Sequence, residues 1–221
     1  SREANPVPSV SAFQFIPMAF TAALYPAMSR AYAEDKTQLG DLLHKALWSL
    51  SIIVAPLVAG IVALGPEIVH MVYGADYASS ILPLQILVFT LIFVFLDFPI
   101  GSLLNGSDRQ ATQTKLMGVA TCISVALNVA LIPVYGVIGV AIASLVSHFV
   151  LFIGGLWAIG KFLDWPAGHF LWRAARIAAA AAAMCVLVVL AKGFLPLVAS
   201  IALGGIAYVA FSLLFRTVTT K

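Results

Sequence analysis

Charge is what this sequence has least of. Charged residues make up 10% of its 221 positions and hydrophobic ones 62%, against about 25% and roughly 45–50% in ordinary soluble domains. Twelve Lys and Arg with nine Asp and Glu cannot clothe a core of this size in a polar shell, so a soluble fold is excluded and lipid must be the solvent. Basic runs are absent, which argues against nucleic acid as a partner. The two cysteines, Cys122 and Cys185, lie in apolar stretches without a C-x-x-C pattern, so they read as small packing residues, neither a disulfide nor a metal site. Walker A, G-x-S-x-G and D-x-D patterns are absent too. His44, His70, His148 and His169 are scattered, and His70 and Asp76 are spaced one residue too far apart for an H-x-x-x-x-D acyltransferase motif. These absences leave an integral-membrane glycosyltransferase or acyltransferase as a remote alternative, with no cofactor or metal implied. The chain opens Ser1-Arg2-Glu3 without a signal-peptide pattern and reads as part of a longer protein.

What is present is a series of long uncharged stretches: residues 4–29, 46–66, 77–96, 116–160, 177–191 and 193–215. A spanning helix needs about 20 apolar residues. The stretch 116–160 is too long for one helix, and Pro133-Val134-Tyr135-Gly136 marks a hairpin inside it. Seven spans are therefore predicted, at 8–29, 46–65, 80–104, 114–132, 137–160, 174–191 and 195–215. The fold class is all-α integral membrane. Residues 1–160 form a five-helix unit, and residues 161–221 an interfacial segment with two last helices.

Lys and Arg set the orientation. With the amino end outside, the cytoplasmic loops hold Arg30, Lys36, Lys45, Arg109, Lys115, Lys161, Arg173, Arg176, Arg216 and Lys221, leaving only Arg2 and Lys192 on the other side. The carboxyl end is then cytoplasmic. Residues 35–45 place Leu39, Leu42 and Leu43 on one helical face, which predicts a helix lying on the membrane surface. Residues 164–176 repeat the idea with Trp165, Phe170 and Trp172 at headgroup depth.

From Pro56 to Leu87 the pattern becomes specific. The run PLVAGIVALGPEIVHMVYGADYASSILPLQIL resembles the carboxyl-terminal half of polysaccharide-export flippases. These are the O-antigen and teichoic-acid exporters of the multidrug/oligosaccharidyl-lipid/polysaccharide superfamily. The matching features are Pro56, Glu67-Ile68-Val69, and a turn with Gly74 and Tyr77. LYPAMSR with Pro26, LLNGSDRQ, and LIPVYGVIGVAIAS with Pro133, Gly136 and Gly139 are similar to the same family in the same order. Members have twelve or fourteen helices in two lobes. The resemblance thus implies one lobe of a two-lobe transporter, with the amino-terminal lobe supplied by the rest of the protein. It implies a lipid-linked oligosaccharide substrate, such as a lipopolysaccharide O-antigen precursor, moved across the cytoplasmic membrane by alternating access. A multidrug or metabolite cation antiporter of the same superfamily is the alternative. No cofactor is expected, and membrane lipids and a coupling proton or cation are the other partners.

Asp97 is the one acidic residue deep in a predicted span. A carboxylate there costs about 2.5–3.5 kcal/mol on insertion scales and is expected to face a water-filled path or a partner, or else to cap backbone freed by Pro99. Asn128, Gln85, Gln14 and His148 also fall within spans, where neutral polar groups more often bridge helices. Gly139, Ala143 and Ser147 recur every four residues and predict close helix packing. Pro17, Pro26, Pro56 and Pro83 supply bends or hinges. At the cytoplasmic end, Arg109 and Lys115, with Asn105 and Asp108 beside them, are candidates for gripping a lipid phosphate. Asp97, Asn128, Arg109 and Asn105 are the transport-path candidates.

The ten-to-two basic bias generates a direct test. In whole cells, a thiol placed in residues 74–79 should react with an impermeant reagent, and one in residues 107–110 only after permeabilisation; the reverse pattern would overturn both orientation and helix count.

Overall fold

A computed structural model describes residues 14–34, 36–163 and 167–215. Within them, seven α-helices run α1 Phe15–Glu34, α2 Lys36–Tyr73, α3 Ile81–Gly106, α4 Gln110–Tyr135, α5 Val137–Gly160, α6 Ala167–Ala191 and α7 Leu197–Leu214, with a 3₁₀ turn at Ala75–Ser80 between α2 and α3. Among the described residues there is no strand. Six of these helices, α2 to α7, are long and apolar enough to cross a bilayer, so this is a multi-pass membrane protein. Seven spans were expected. The exception is α1, whose Thr21, Ser29, Arg30 and Glu34 lower its hydropathy.

The helix α2 departs most from expectation. Residues 36–45 do not form a separate surface helix but the first turns of a 38-residue helix, about 57 Å long at 1.5 Å per residue. The periodicity of Leu39 and Leu43 was read correctly, but both are fully buried against Met28, Leu103, Leu104, Ile159 and Phe170. Protein, not headgroup, covers that face. Phe170 likewise turns inward, whereas Trp172 is exposed. Trp165 lies outside the described residues, as do Arg2, Arg216 and Lys221.

The central position of α2 follows from its three buried faces. One packs with α1, α3, the carboxyl-terminal end of α5 and the first turns of α6. A second places Leu50, Val54 and Val58 against Val88, Leu91 and Phe95 of α3. The third places Ala63 and Leu64 against Ala180, Met184 and Val188 of α6 and Tyr208 of α7. Thus α2 joins an α1/α3/α4/α5 group to an α6/α7 pair.

Two prolines interrupt this spine without ending it. Pro56 carries no N–H for the Ile52 carbonyl, and Pro66 none for that of Val62. In hydrocarbon a carbonyl without a donor costs several kcal/mol. The structure supplies donors from neighbouring helices: Tyr208 Oη donates to Ile52 O at 2.9 Å, and Gln85 Nε2 donates to Val62 O at 3.0 Å. Helix α2 therefore continues past residue 65, where the sequence pattern had ended it. Beyond Pro66, Glu67 pairs with Lys192 Nζ at 3.0 Å, and the same ammonium reaches Ala63 O at 3.3 Å, tying α2 to the end of α6. Gly74 then closes the helix at φ +88, its N–H donating to His70 O at 3.1 Å.

The α4–α5 hairpin is where the sequence expected it. Gly136 turns the chain at φ 55, just after Pro133 in the last turn of α4. At Gly139 a Cβ would come within 2.7 Å of Leu131 O, so only glycine permits the close approach of the two helices. Gly139, Ala143 and Ser147 are all buried; Ser147 Oγ returns its hydrogen to Ala143 O at 2.6 Å.

Tyr208→Phe should lower the stability of the detergent-solubilised full-length protein by about 1 kcal/mol. The same change made on a Pro56→Ala background should cost almost nothing, because an alanine in place of Pro56 restores the N–H that the Ile52 carbonyl lacks. Equal losses on both backgrounds, measured by thermal unfolding, would refute the pairing.

Candidate functional site

Helix α3 carries Asp97, Gly101 and Asn105 at successive four-residue steps, so one stripe of an otherwise apolar helix is polar. That stripe lines an open cavity of about 520 Å³ bordered by α1, α4 and α5. From α1 come Thr21 and Tyr25, with Gln14 just before its first turn; from α4, Gln113 and Met117; from α5, His148. Thr21 and Tyr25 thus turn one face of α1 to the cavity, whereas Arg30 and Glu34 lie away from it.

Asp97 has two buried carboxylate oxygens, neither with a hydrogen-bond partner among the described residues. Capping was the structural alternative. A carboxylate accepts, whereas the group that Pro99 frees is the Phe95 carbonyl, also an acceptor, so no such bond forms. The Oγ atoms of Thr21 and Ser102 are buried in the same wall and equally without partners. His148 Nδ1 lies 2.9 Å from Ser144 O. Since a carbonyl only accepts, Nδ1 carries the proton in that bond. Among the described residues, and apart from the Tyr25 phenol, the ionisable side chains lining the cavity are Asp97 and His148, with neither Lys nor Arg.

The other residues singled out in the sequence lie elsewhere. Asn128 does not reach the cavity; its amide donates within α4, to Ser124 O at 2.8 Å. Gln85 serves Val62, as described. The guanidinium of Arg109 rests over the Phe162 ring, 4.0 Å from its centroid, and Lys115 is exposed. Asp108, exposed, takes φ 56 in the turn before α4. Of the family-pattern residues, Pro26 and Pro56 lie inside helices, and Tyr77 sits half-buried in the 3₁₀ turn. Cys122 and Cys185 are unpaired thiols. Among the described residues, no group of three or more His, Cys, Asp and Glu could hold a metal ion.

Sequence reasoning missed Thr21, Ser102 and Gln113. Gln113 lies one turn inside α4, and its Nε2 abuts Gly101, 3.1 Å from where a Cβ would stand. The i, i+4, i+8 placement of Asp97, Gly101 and Asn105 was a usable signal for the α3 stripe. Nothing local marks Thr21 or Gln113.

The family model described as "Lipid II flippase MurJ" matches residues 12–217. An uncharacterized membrane protein of Methanocaldococcus jannaschii is 26% identical over 159 residues, which cover 72% of this chain and 31% of that protein. The chain thus spans less than a third of the curated relative's length.

Proposed function

Because the chain belongs to the lipid II flippase MurJ family, we propose that it forms one lobe of a flippase that carries a lipid-linked glycan precursor across the cytoplasmic membrane. The observation that carries this reading is the polar cavity around Asp97 and Asn105, set among helices otherwise made for lipid. Rocking of this lobe against a second one, contributed by the rest of the full-length protein, would expose the cavity to each side in turn. The amides of Gln14, Asn105 and Gln113 offer both donors and acceptors, the complement of sugar hydroxyls. Among the described residues no Lys or Arg lines the cavity, so this lobe's cavity takes the glycan end. The pyrophosphate falls to cations outside it, Arg109 and Lys115 included.

The family's description points to lipid II as cargo. The sequence resemblance supports a polysaccharide precursor of the O-antigen kind instead, and the two cargoes share a polyprenyl pyrophosphate and differ in the glycan. One observation favours a third cargo, an organic cation: among the described residues the acidic Asp97 has no Lys or Arg beside it on the cavity wall.

The test is flux in proteoliposomes of the full-length protein, offered lipid II, a polyprenyl-linked O-antigen unit or an organic cation in separate assays. Transport of either glycolipid is expected; transport of the organic cation alone would replace the flippase with the antiporter. Residues 1–221 by themselves should give no flux. Asp97→Asn keeps size and should insert normally, but glycolipid flux should fall about tenfold or more. Wild-type flux at wild-type abundance would remove Asp97 from the path.

A further inference from the structure

Where the first turns of α2 and α6 meet, three nitrogen-bearing side chains converge. Nη1 of Arg173, in the second turn of α6, lies 3.4 Å from Nε2 of His44 in α2. His169, one turn before Arg173, stands within electrostatic reach of the same imidazole. A guanidinium only donates, so Nε2 accepts and the His44 proton sits on Nδ1. That nitrogen is buried and has no hydrogen-bond partner among the described residues. Among the same residues Arg173 makes no second hydrogen bond and no ion pair. Asp41, a carboxylate within reach of His44, turns instead to a groove between α1 and α2 that Arg30 and Lys45 share.

The other end of the same two helices is complete, with Glu67 of α2 paired to Lys192 at 3.0 Å. Arg176 has the Phe215 carbonyl, and Arg109 the face of the Phe162 ring. Arg173, half-buried, has a neutral imidazole and donors to spare. A cluster of donors without an acceptor is complementary to a ligand that only accepts. We infer that Arg173 and His169 form a site for the phosphate of an anionic phospholipid headgroup, with His44 as its positioning residue. The Arg fork matches two phosphate oxygens. Because His44 holds Nη1, the fork is aimed, and Nη2 and Nε are left for the ligand.

A free phosphate ion presents the same oxygens, but the surroundings favour a lipid. Leu171 and Trp172, on the same turn of α6 as the site, are 66% and 68% exposed, an apolar and an interfacial side chain at the depth where headgroups meet acyl chains. Basic clusters between spanning helices are suited to such headgroups. The bound phosphate bridges α2 and α6 at this end, as Glu67 and Lys192 do at the other. None of the three residues lines the Asp97 cavity, so the site is independent of the cargo.

The experiment titrates the full-length protein, solubilised in a nonionic detergent, with dioleoylphosphatidylglycerol, dioleoylphosphatidylcholine or sodium phosphate at constant ionic strength, and follows the thermal unfolding midpoint. A saturable rise with phosphatidylglycerol and none with phosphatidylcholine is expected, since a ligand bound only by the folded state stabilises it. An equal rise with sodium phosphate would replace the lipid by the free anion. Arg173→Gln should weaken the apparent affinity for phosphatidylglycerol about tenfold. His44→Leu should weaken it too, whereas His44→Gln, whose Oε1 accepts as Nε2 does, should retain it. Lys161→Gln, which removes an ammonium resting 3.3 Å over the Trp157 ring, should leave the response unchanged. Equal responses to the two lipids, or equal losses in Arg173→Gln and Lys161→Gln, would overturn the site. Should Arg173→Gln fail to accumulate, the wild-type titrations with the two lipids decide.

Discussion

A helix in hydrocarbon must find a donor for every carbonyl it owns, and most of this architecture depends on how α2 meets that demand. Pro56 and Pro66 each remove one donor from the longest of the described helices. The replacements, Tyr208 and Gln85, come from α7 and α3, so the repair of one helix is what fixes the position of two others. The Glu67–Lys192 pair adds α6 at the extracytoplasmic end predicted from the basic residues. Prolines that would weaken a soluble helix here become the points at which its neighbours are attached.

The cavity is where the same demand is left unmet. Asp97, Thr21 and Ser102 present oxygens with no partner among the described residues, as Thr90, Ser107 and Ser200 do elsewhere. What sets the cavity apart is the carboxylate among them, since an ionisable group inside a membrane span marks a region meant for water, ions or substrate. Thr21 and Tyr25 of α1 and the polar stripe on α3 are two sides of this one feature. The charge of the wall matters as well, since among the described residues it carries Asp97 and His148 and neither Lys nor Arg.

The solvent, the number of helices and the ends of α3, α5 and α7 were legible in the sequence. Uncharged stretches longer than a bilayer crossing admit few other readings, and α5 begins and ends where its hydropathy did. The Pro133 and Gly136 turn and the need for a small residue at Gly139 were equally plain, because they are set by the local backbone. So was the identity of Asp97 as the odd residue in its span. The periodicity of Leu39, Leu42 and Leu43 was also correct as a pattern. It could not say whether lipid or protein would cover that face, since both are apolar to the same degree.

Only the tertiary structure decided which groups meet. Thr21 and Asp97 are separated by all of α2 and half of α3, and His148 stands a further two helices on; no spacing rule connects them. Arg109 and Asn105 are near in sequence, yet one rests on Phe162 and the other faces the cavity, because the turn at Asp108 sends the chain the other way. Asn128 had the same intrinsic polarity as Asn105 but found its partner within its own helix. Burial costs are properties of single residues and can be read one at a time from a sequence. The bonds that offset them are made between helices, and they exist only once the helices are packed.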